Sequence, residues 1–188
     1  MVLVFAEGGE GWYTDSVDGL QPWETDIISS LVPWVLKHLP VYPAGRAWAV
    51  AGMSMGGYGA IKLSLKYTSI FATGVSHGGA FEITRRDGVH PIFGDAHRDM
   101  AHRKLNDVYA LAEAALCRMP TERPSLWIDC GTEDELLPVS RRFHQHLEFT
   151  GYGHQYHEAN GHHTWPYWNR ALRTVMPELN CYLELQGD

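Results

Sequence analysis

The chain has 188 residues, of which 45% are hydrophobic and 20% charged, with 15 basic against 22 acidic side chains and a formal net charge of −7. This length fits one domain with a sizeable core, and the acidic balance argues against a nucleic-acid-binding protein, which usually carries a basic patch. No stretch reaches the roughly 18 apolar residues of a membrane helix, the first residues lack the features of a signal peptide, and the cysteines form no CxxC pair. The sequence therefore predicts a soluble, cytoplasmic globular protein, either a monomer or a homo-oligomer.

Short apolar runs and amphipathic segments alternate along the chain. The predicted elements before residue 80 are a buried strand at 2–6, a helix at 25–39 kinked by Pro33, a strand at 47–51, a helix at 58–67 and a strand at 71–76. Those after residue 123 are a strand at 126–130, a helix at 139–149, a strand at 154–158 and a helix at 164–175. Strands that alternate with helices in this way predict an α/β fold with a mostly parallel sheet and flanking helices.

The stretch between these two blocks, residues 81–123, is more polar and contains glycine breakers. One amphipathic helix is predicted there from the spacing of the apolar positions Leu105, Val108, Tyr109, Ala112 and Leu116. We interpret residues 1–188 as a single domain in which 81–123 form a polar helical insertion over the C-terminal edge of the sheet.

A glycine-flanked serine lies between a predicted strand and a predicted helix, in Gly52-Met53-Ser54-Met55-Gly56. A serine hydroxyl is a weak nucleophile unless the chain holds it clear of the backbone with a base in reach. A tight strand-to-helix turn does this, and the N-terminus of the following helix directs N–H groups at developing negative charge. The sequence therefore predicts that Ser54 is a catalytic nucleophile, rather than part of a glycine turn used only for packing.

Candidates for the other two members of a catalytic triad follow later in the chain. In the fold that carries this serine turn, the order is serine, then an acid, then a histidine. Asp134 follows the predicted strand at 126–130, where Glu133 is a substitute and Asp129 is less favoured because it lies within the strand. His162 and His163 follow the predicted strand at 154–158. All of these positions fall at the edge where open α/β sheets place their sites.

Three separated motifs together resemble the esterase D-like α/β-hydrolases, a family that includes S-formylglutathione hydrolases, tributyrin-type and feruloyl esterases and the related mycobacterial mycolyltransferases. The motifs are Gly52-Met53-Ser54-Met55-Gly56-Gly57-Tyr58-Gly59-Ala60, Cys130-Gly131-Thr132-Glu133-Asp134 and His163-Thr164-Trp165. Residues 11–16 are also similar to the family's loop after its fourth strand, and 106–112 to its insertion helix. The resemblance runs along the whole chain and implies the α/β-hydrolase fold.

The resemblance also implies roles for individual residues. Ser54 corresponds to the nucleophile, Asp134 to the acid that orients the base, and the Met55 N–H to the first oxyanion-hole donor. The family's histidine precedes a tryptophan by two positions, as His163 does and His162 does not. The resemblance therefore favours His163 as the base, although geometry rather than position decides a triad.

Relative to the family pattern, an N-terminal segment is missing. Family members have a further central strand, ending in a His-Gly loop whose backbone supplies the second oxyanion-hole N–H. The sequence contains no other segment that would supply this donor. We therefore expect an N-terminally truncated family member with weak activity and a tendency to aggregate.

The activity implied by the resemblance is hydrolysis of a small-molecule carboxylic ester or thioester through an acyl-enzyme intermediate, with no cofactor and no metal. An acyltransferase that uses the same triad with an alcohol acceptor is an alternative. Another alternative is an inactive, truncated relic of such an enzyme. The sequence leaves the acyl and alcohol specificity open.

The eleven histidines raise the separate hypothesis of a metal site. On a helix, metal ligands favour an i, i+4 pair, whereas His144 and His146 are two positions apart. His154 and His157 are three apart on a predicted strand and should face opposite sides. The spacing therefore favours packing or solvent-facing roles over metal binding.

Other residues allow more than one interpretation. Cys130 is expected to be a small buried hydrophobe rather than a nucleophile. Two roles are equally consistent with the sequence for a set of aromatic residues: they line an acyl or aryl pocket, or they pack in the core. These residues are Trp12, Tyr13, Trp165, Tyr167 and Trp168. We expect the basic residues of this region to form a solvated face rather than to contact an anionic substrate. They are Arg85, Arg86, Arg98 and Arg103.

Overall fold

The structure is a computed structural model that describes residues 1–43 and 45–183. The strands are β1 Gly45–Met53, β2 Phe71–His77, β3 Val89–His90, β4 Gly94–Asp95, β5 Ser125–Gly131 and β6 Gln155–Ala159. The α-helices are α1 Trp23–Asp26, α2 Val32–His38, α3 Met55–Lys66, α4 Met100–Leu105, α5 Val108–Ala115, α6 Leu137–Thr150 and α7 Trp165–Tyr182. A π-helical turn, Ile27–Leu31, joins α1 to α2, and 3-10 turns occupy Ile83–Arg85 and Pro120–Glu122.

The main sheet is parallel and has the strand order β1-β2-β5-β6, while β3 and β4 form a separate antiparallel hairpin. Helices connect the parallel neighbours, which confirms the predicted α/β fold. The register pairs Met53 with His77, His77 with Asp129 and Asp129 with His157, so these residues lie in one row at the C-terminal edge of the sheet. Parallel strands place functional loops at this edge.

Two apolar layers cover the faces of the sheet. On β5, Leu126 and Ile128 belong to the larger core cluster, which also holds side chains of α3, α5 and α6. Trp127, whose side chain points to the opposite face, packs with Val175 and Leu179 of α7. The alternation of these neighbouring residues places α7 alone on one face and the other long helices on the other.

The predicted strand at residues 2–6 is wrong. No strand is assigned to these residues, and Phe5 is 91% exposed. A strand needs a hydrogen-bonded neighbour, and β1, the nearest candidate, pairs within the described residues with β2 alone. Of these residues, only Ala6 packs against the small apolar cluster around Leu63 and Phe71, which Trp48 and Val50 of β1 also contact. The free edge of β1 is therefore left without a covering strand.

The helix predicted from Leu105 to Leu116 is in fact two helices, α4 and α5. Asp107 is the N-cap of α5 and accepts a hydrogen bond from Tyr109 N at 3.3 Å. Aspartate is favoured at an N-cap because its carboxylate satisfies an unpaired helix N–H. Leu105 consequently lies outside the core and is exposed, whereas Val108 is fully buried.

The helical segment at residues 23–38 is attached to α3 by a buried ion pair. Lys62 is completely buried and donates to Glu24 Oε2 at 2.5 Å, Tyr13 O at 2.5 Å and Thr14 Oγ1 at 2.7 Å. The predicted kink near Pro33 takes the form of the π-helical turn, in which Val32 N donates to Ile27 O. None of the helices in the described part of the chain is long and apolar enough to cross a membrane.

Candidate active site

Ser54 lies between the end of β1 and the start of α3 with φ 54° and ψ −116°. This backbone region is rarely adopted by a residue with a side chain, and such strain is typical of a nucleophile turn. The turn also depends on close backbone contacts. A Cβ on Gly52 would lie 2.2 Å from the Gly56 carbonyl oxygen, and one on Gly57 would lie 2.4 Å from Ser76 Oγ. The close packing of the turn therefore requires glycine at positions 52 and 57, whereas a Cβ on Gly56 would make only an ordinary contact of 3.7 Å with the Tyr13 hydroxyl oxygen.

Met55 is the first residue of α3. The first N–H groups of a helix have no intrahelical acceptor, and the helix dipole adds partial positive charge at this end. The Met55 N–H is thus placed to donate to a negatively charged oxygen beside Ser54.

Asp134 and His163 are in direct contact. His163 Nδ1 lies 2.7 Å from Asp134 Oδ2, and Asp134 Oδ1 accepts a hydrogen bond from Leu136 N at 2.8 Å. Asp134 is buried, whereas His163 is partly exposed and packs edge-on against the Trp168 ring, with 4.9 Å between ring centroids. Because the Asp134 carboxylate accepts a hydrogen bond from the Nδ1–H of His163, the imidazole keeps Nε2 free to exchange a proton with a reacting group.

The segment from His77 to Ala80 connects the serine turn to this pair. Ser54 N donates to His77 O at 3.0 Å, and Ala80 N donates to Ser54 O at 3.3 Å. On the other side of the segment, a Cβ on Gly78 would lie 2.9 Å from Asp134 Oδ2 and 3.3 Å from His163 Nδ1. Ser54 and the His163–Asp134 pair thus contact the same short segment, and no described residue hydrogen-bonds the Ser54 hydroxyl.

The alternative candidates have other partners. Glu133 accepts from the backbone N–H of Gly161, and His162 is exposed. Asp129 pairs with His77, whose Nδ1 lies 2.6 Å from Asp129 Oδ2. Sequence reasoning overlooked His77, although His77-Gly78-Gly79 follows a predicted strand at the same edge of the sheet as the other candidates.

A cleft of about 140 Å³ adjoins the site. Ala80 and Leu136 line it, and their backbone N–H groups contact Ser54 and Asp134 respectively. The remaining lining residues are Glu82, Ile83, Arg85, Arg86 and Val139. The cleft therefore combines apolar walls with a charged rim.

The four arginines near the insertion have different surroundings. Arg85 forms an ion pair with Asp107 at 2.8 Å and lies 3.7 Å from the Tyr109 ring centroid, and Arg98 pairs with Asp99. Arg86 is exposed on the rim of the cleft. Arg103, expected on a solvated face, is instead buried, and its guanidinium donates to the carbonyl oxygens of Thr84, Arg86, Gly88 and Gly94.

The histidines of the metal hypothesis contact other side chains. His144 Nδ1 lies 2.7 Å from His154 Nε2, His146 lies 3.4 Å from Glu113, and His157 stacks on Trp127. Within residues 1–43 and 45–183, no group of three or more His, Cys, Asp or Glu side chains is placed to hold a metal ion.

Cys130 is fully buried, and burial raises the pKa of its thiol to about 12. A thiol with so high a pKa stays protonated at neutral pH, and the thiolate is the reactive form. The structure therefore agrees with the prediction that Cys130 is a packed side chain and not a nucleophile.

The aromatic residues divide between core and site. Trp12 packs against Tyr58 and Phe93, with ring centroids 5.9 and 6.3 Å away. Tyr167 is buried, but Trp165 is 70% exposed at the start of α7, edge-on to Trp168. The Trp165–Trp168 pair is therefore the aromatic surface beside His163.

Comparison with known sequences identifies relatives of this chain. The family model named Esterase matches residues 2–179. The esterase Rv1288 of Mycobacterium tuberculosis (strain ATCC 25618 / H37Rv) is 30% identical over 189 aligned residues, which cover 87% of this chain and 41% of that protein. The acetyl esterase of Caldicellulosiruptor saccharolyticus is 27% identical over 134 residues, which cover 65% of this chain and 50% of that protein. The chain spans half or less of the length of these curated relatives.

Solved structures share the fold. FphF of Staphylococcus aureus, described as a fluorophosphonate-binding serine hydrolase, matches with a TM-score of 0.76 at 24% identity, over 90% of this chain and 67% of that one. Together with the sheet order and the serine turn, this likeness shows an α/β-hydrolase fold.

Proposed function

This chain belongs to the Esterase family, and we propose that it hydrolyses small-molecule carboxylic esters or thioesters with Ser54, His163 and Asp134 as a catalytic triad. A cytoplasmic location is part of the same proposal. The observation that carries it is the His163–Asp134 contact of 2.7 Å, which lies across Gly78 from the strained serine turn.

The proposed reaction begins with attack of Ser54 Oγ on the carbonyl carbon of the ester, while His163 Nε2 takes the hydroxyl proton. The Met55 N–H donates to the oxyanion of the tetrahedral intermediate. His163 then returns the proton to the leaving alcohol or thiol, and an acyl group remains on Ser54. Water attacks this acyl-enzyme with the same proton transfers in reverse order, which releases the acid and restores Ser54.

Asp134 has two roles in this scheme. By accepting at Nδ1 it holds the imidazole with Nε2 free, and its negative charge stabilises the imidazolium that forms during each proton transfer. The Leu136 N–H, donating to the other carboxylate oxygen, fixes the carboxylate in turn. The burial of Asp134 keeps water from competing for these contacts.

We propose that the adjoining cleft receives the acyl group, and its size then favours a short one. Its volume of about 140 Å³ is close to the roughly 150 Å³ of an apolar cavity that accommodates benzene. Acetyl, propionyl or a single ring would fit, whereas a long alkyl chain would extend into solvent. We therefore expect kcat/KM to fall as the acyl chain is lengthened beyond a few carbons.

A fluorophosphonate probe and a panel of p-nitrophenyl esters of increasing acyl length test the proposal. The protein should be labelled at one site and should turn over the short esters, and Ser54→Ala should abolish both. Ser30→Ala, at an exposed serine outside the site, is the matched control and should behave like the wild type. Labelling that persists undiminished in Ser54→Ala would contradict the assignment of the nucleophile.

A further inference from the structure

A second histidine–aspartate pair lies directly beneath the candidate site. His77 Nδ1 is 2.6 Å from Asp129 Oδ2, and both side chains are buried, with His77 completely so. The distance almost equals that of the His163–Asp134 pair, but a buried imidazole cannot reach a substrate. Its role must therefore be exerted through the residues that it holds.

Asp129 accepts from two further donors, one on its own strand and one on α7. Trp127 Nε1 and Tyr167 OH each donate to its carboxylate at 3.0 Å. Burial, together with the nearby Asp129 carboxylate, raises the pKa of Tyr167, which keeps the phenol protonated as a donor. Three donors compensate for removing this carboxylate from water, and the same contacts join β2, β5 and α7.

The pair is connected to the serine side of the site. The His77 carbonyl oxygen accepts the Ser54 N–H at 3.0 Å, and the next residue, Gly78, donates to Asp129 O at 2.7 Å. A shift of His77 would thus move the turn that carries Ser54 and the Gly78 backbone that separates Ser54 from His163.

Asp129 is connected to the histidine side through Tyr167. Tyr167 lies in the first turn of α7 and packs against Gly161, where a Cβ would be 2.7 Å from Tyr167 Cδ2. Gly161 begins the loop that carries His163, and Trp168, next to Tyr167, contacts the His163 ring. The position of the base is therefore coupled to the same carboxylate as the position of the nucleophile.

We propose that His77, Asp129 and Tyr167 form a positioning cluster that sets the placement of the Ser54 hydroxyl relative to the His163 imidazole. The inference rests on the proposed function, because it assigns these residues to the same triad. They touch no reacting atom and act only through backbone and packing contacts. A misplacement of about 1 Å between reacting groups lowers a rate by about 100-fold.

Paired substitutions of His77 separate positioning from mere stabilisation. Asparagine can present an N–H close to the position of Nδ1, whereas leucine cannot. We expect His77→Leu to lower kcat for a short p-nitrophenyl ester by about 10- to 100-fold with KM nearly unchanged, and His77→Asn to restore most of kcat. The milder Tyr167→Phe should lower kcat less, and it keeps the test informative if His77→Leu fails to fold. Thr73→Val, at another buried polar side chain of β2, should leave kcat unchanged.

Two results would overturn the inference: folded His77→Leu and Tyr167→Phe with wild-type kcat, or folded His77→Asn as impaired as His77→Leu. A wild-type protein that neither turns over esters nor reacts with the fluorophosphonate counts against the proposed function instead. In that event, NMR of the His163 ring decides the positioning question. Its resonances should shift in His77→Leu and Tyr167→Phe and stay in place in His77→Asn, and unchanged resonances in every variant would exclude coupling.

Discussion

Ser54 combines a positive φ with a side chain, and this combination costs about 1–3 kcal/mol at a non-glycine residue. The neighbouring contacts show why the strain persists: Ser54 N and Ser54 O are both hydrogen-bonded, to His77 O and Ala80 N. The surrounding structure therefore imposes the conformation. A residue that tolerates positive φ at this position would raise the free energy of unfolding, but the Ser54 hydroxyl would be lost.

We predict that Ser54→Gly is more stable than Ser54→Ala, while both lose esterase activity. Glycine adopts a positive φ without steric penalty, whereas alanine keeps the Cβ that causes the strain. The free energy of unfolding, measured by urea denaturation, should be higher for the glycine variant by about 1 kcal/mol. Equal stability of the two variants would indicate that the turn is not strained.

The two adjacent histidines should differ sharply in their effect on activity. His163→Ala removes the group in contact with Asp134 and should lower kcat by about 10³-fold or more. His162→Ala alters an exposed side chain and should change kcat only slightly. Steady-state kinetics of both variants on one short ester provide the measurement, and the opposite ranking would identify His162 as the base.

At this scale the sequence pointed to Ser54, Asp134 and His163 as candidates but gave no signal for the cluster around Asp129. A strand, a turn and a helix around a serine are local features, and chain order points to the acid and the base. The His77–Asp129 pair joins residues of two strands that are neighbours only in the folded sheet. Sequence spacing contains no signal for such a contact until the strand order is known.

At the scale of elements, a buried charge, Lys62, contributes to the attachment of residues 11–26 to α3. Trp12 and Tyr13 both have positive φ, and Lys62 holds this strained turn by donating to Tyr13 O while it pairs with Glu24. Burial lowers the pKa of Lys62 to about 8 despite the attraction of Glu24, so the ammonium is still charged at neutral pH. Burial alone would raise the pKa of Glu24, but Lys62 and Lys66 outweigh it and hold that pKa below its usual value.

We predict that Glu24 makes stability depend on pH in the acid range. Because its pKa is lower in the folded than in the unfolded protein, its contribution is full above the unfolded value of about 4.3 and is lost as the pH falls below it. Glu24→Gln should lower stability at pH 7 by about 3–5 kcal/mol, since it leaves Lys62 buried and unpaired, and should flatten the loss between pH 5 and pH 3. Urea denaturation of both proteins between pH 3 and pH 7 measures these free energies of unfolding. Glu10→Gln, at an exposed position, is the control.

Element boundaries were predicted well where packing and local preference agree. The strands at 47–51 and 126–130 lie within β1 and β5, and the helix at 139–149 lies within α6. The run at 2–6 has the apolar composition of a strand, yet composition cannot supply the neighbour that a strand needs. The break between α4 and α5 depends on the Asp107 cap, a feature that competes with a continuous apolar spacing.

At the scale of the whole molecule, β1 and β6 are the two edge strands of the main sheet within the described residues. β1 pairs with β2 alone, and the largely apolar residues 1–5 are exposed and form no strand. Unpaired backbone groups at an edge, together with exposed apolar side chains, favour pairing with another chain. We therefore expect residues 1–5 to contribute to the tendency to aggregate.

We predict that Phe5→Lys reduces association more than Phe149→Lys. Both phenylalanines are 91% exposed, but Phe149 lies on α6, a helix that packs against β5. Light scattering against protein concentration measures the effect, and the melting temperature should change little in either variant. Equal reductions in the two variants would place the association elsewhere.

Arg103 has a further consequence for access to the cleft. Its guanidinium joins carbonyls spread over residues 84–94, and Ile83, Arg85 and Arg86 on the cleft wall lie in or next to that stretch. Releasing the Thr84 or Gly94 carbonyl from this shared cation would leave a buried dipole unmet, so we expect the stretch to open as one cooperative unit. A substrate too wide for the cleft would thus enter only when the whole stretch opens. Its entry rate would be set by the frequency of that opening and not by the rotation of any single side chain.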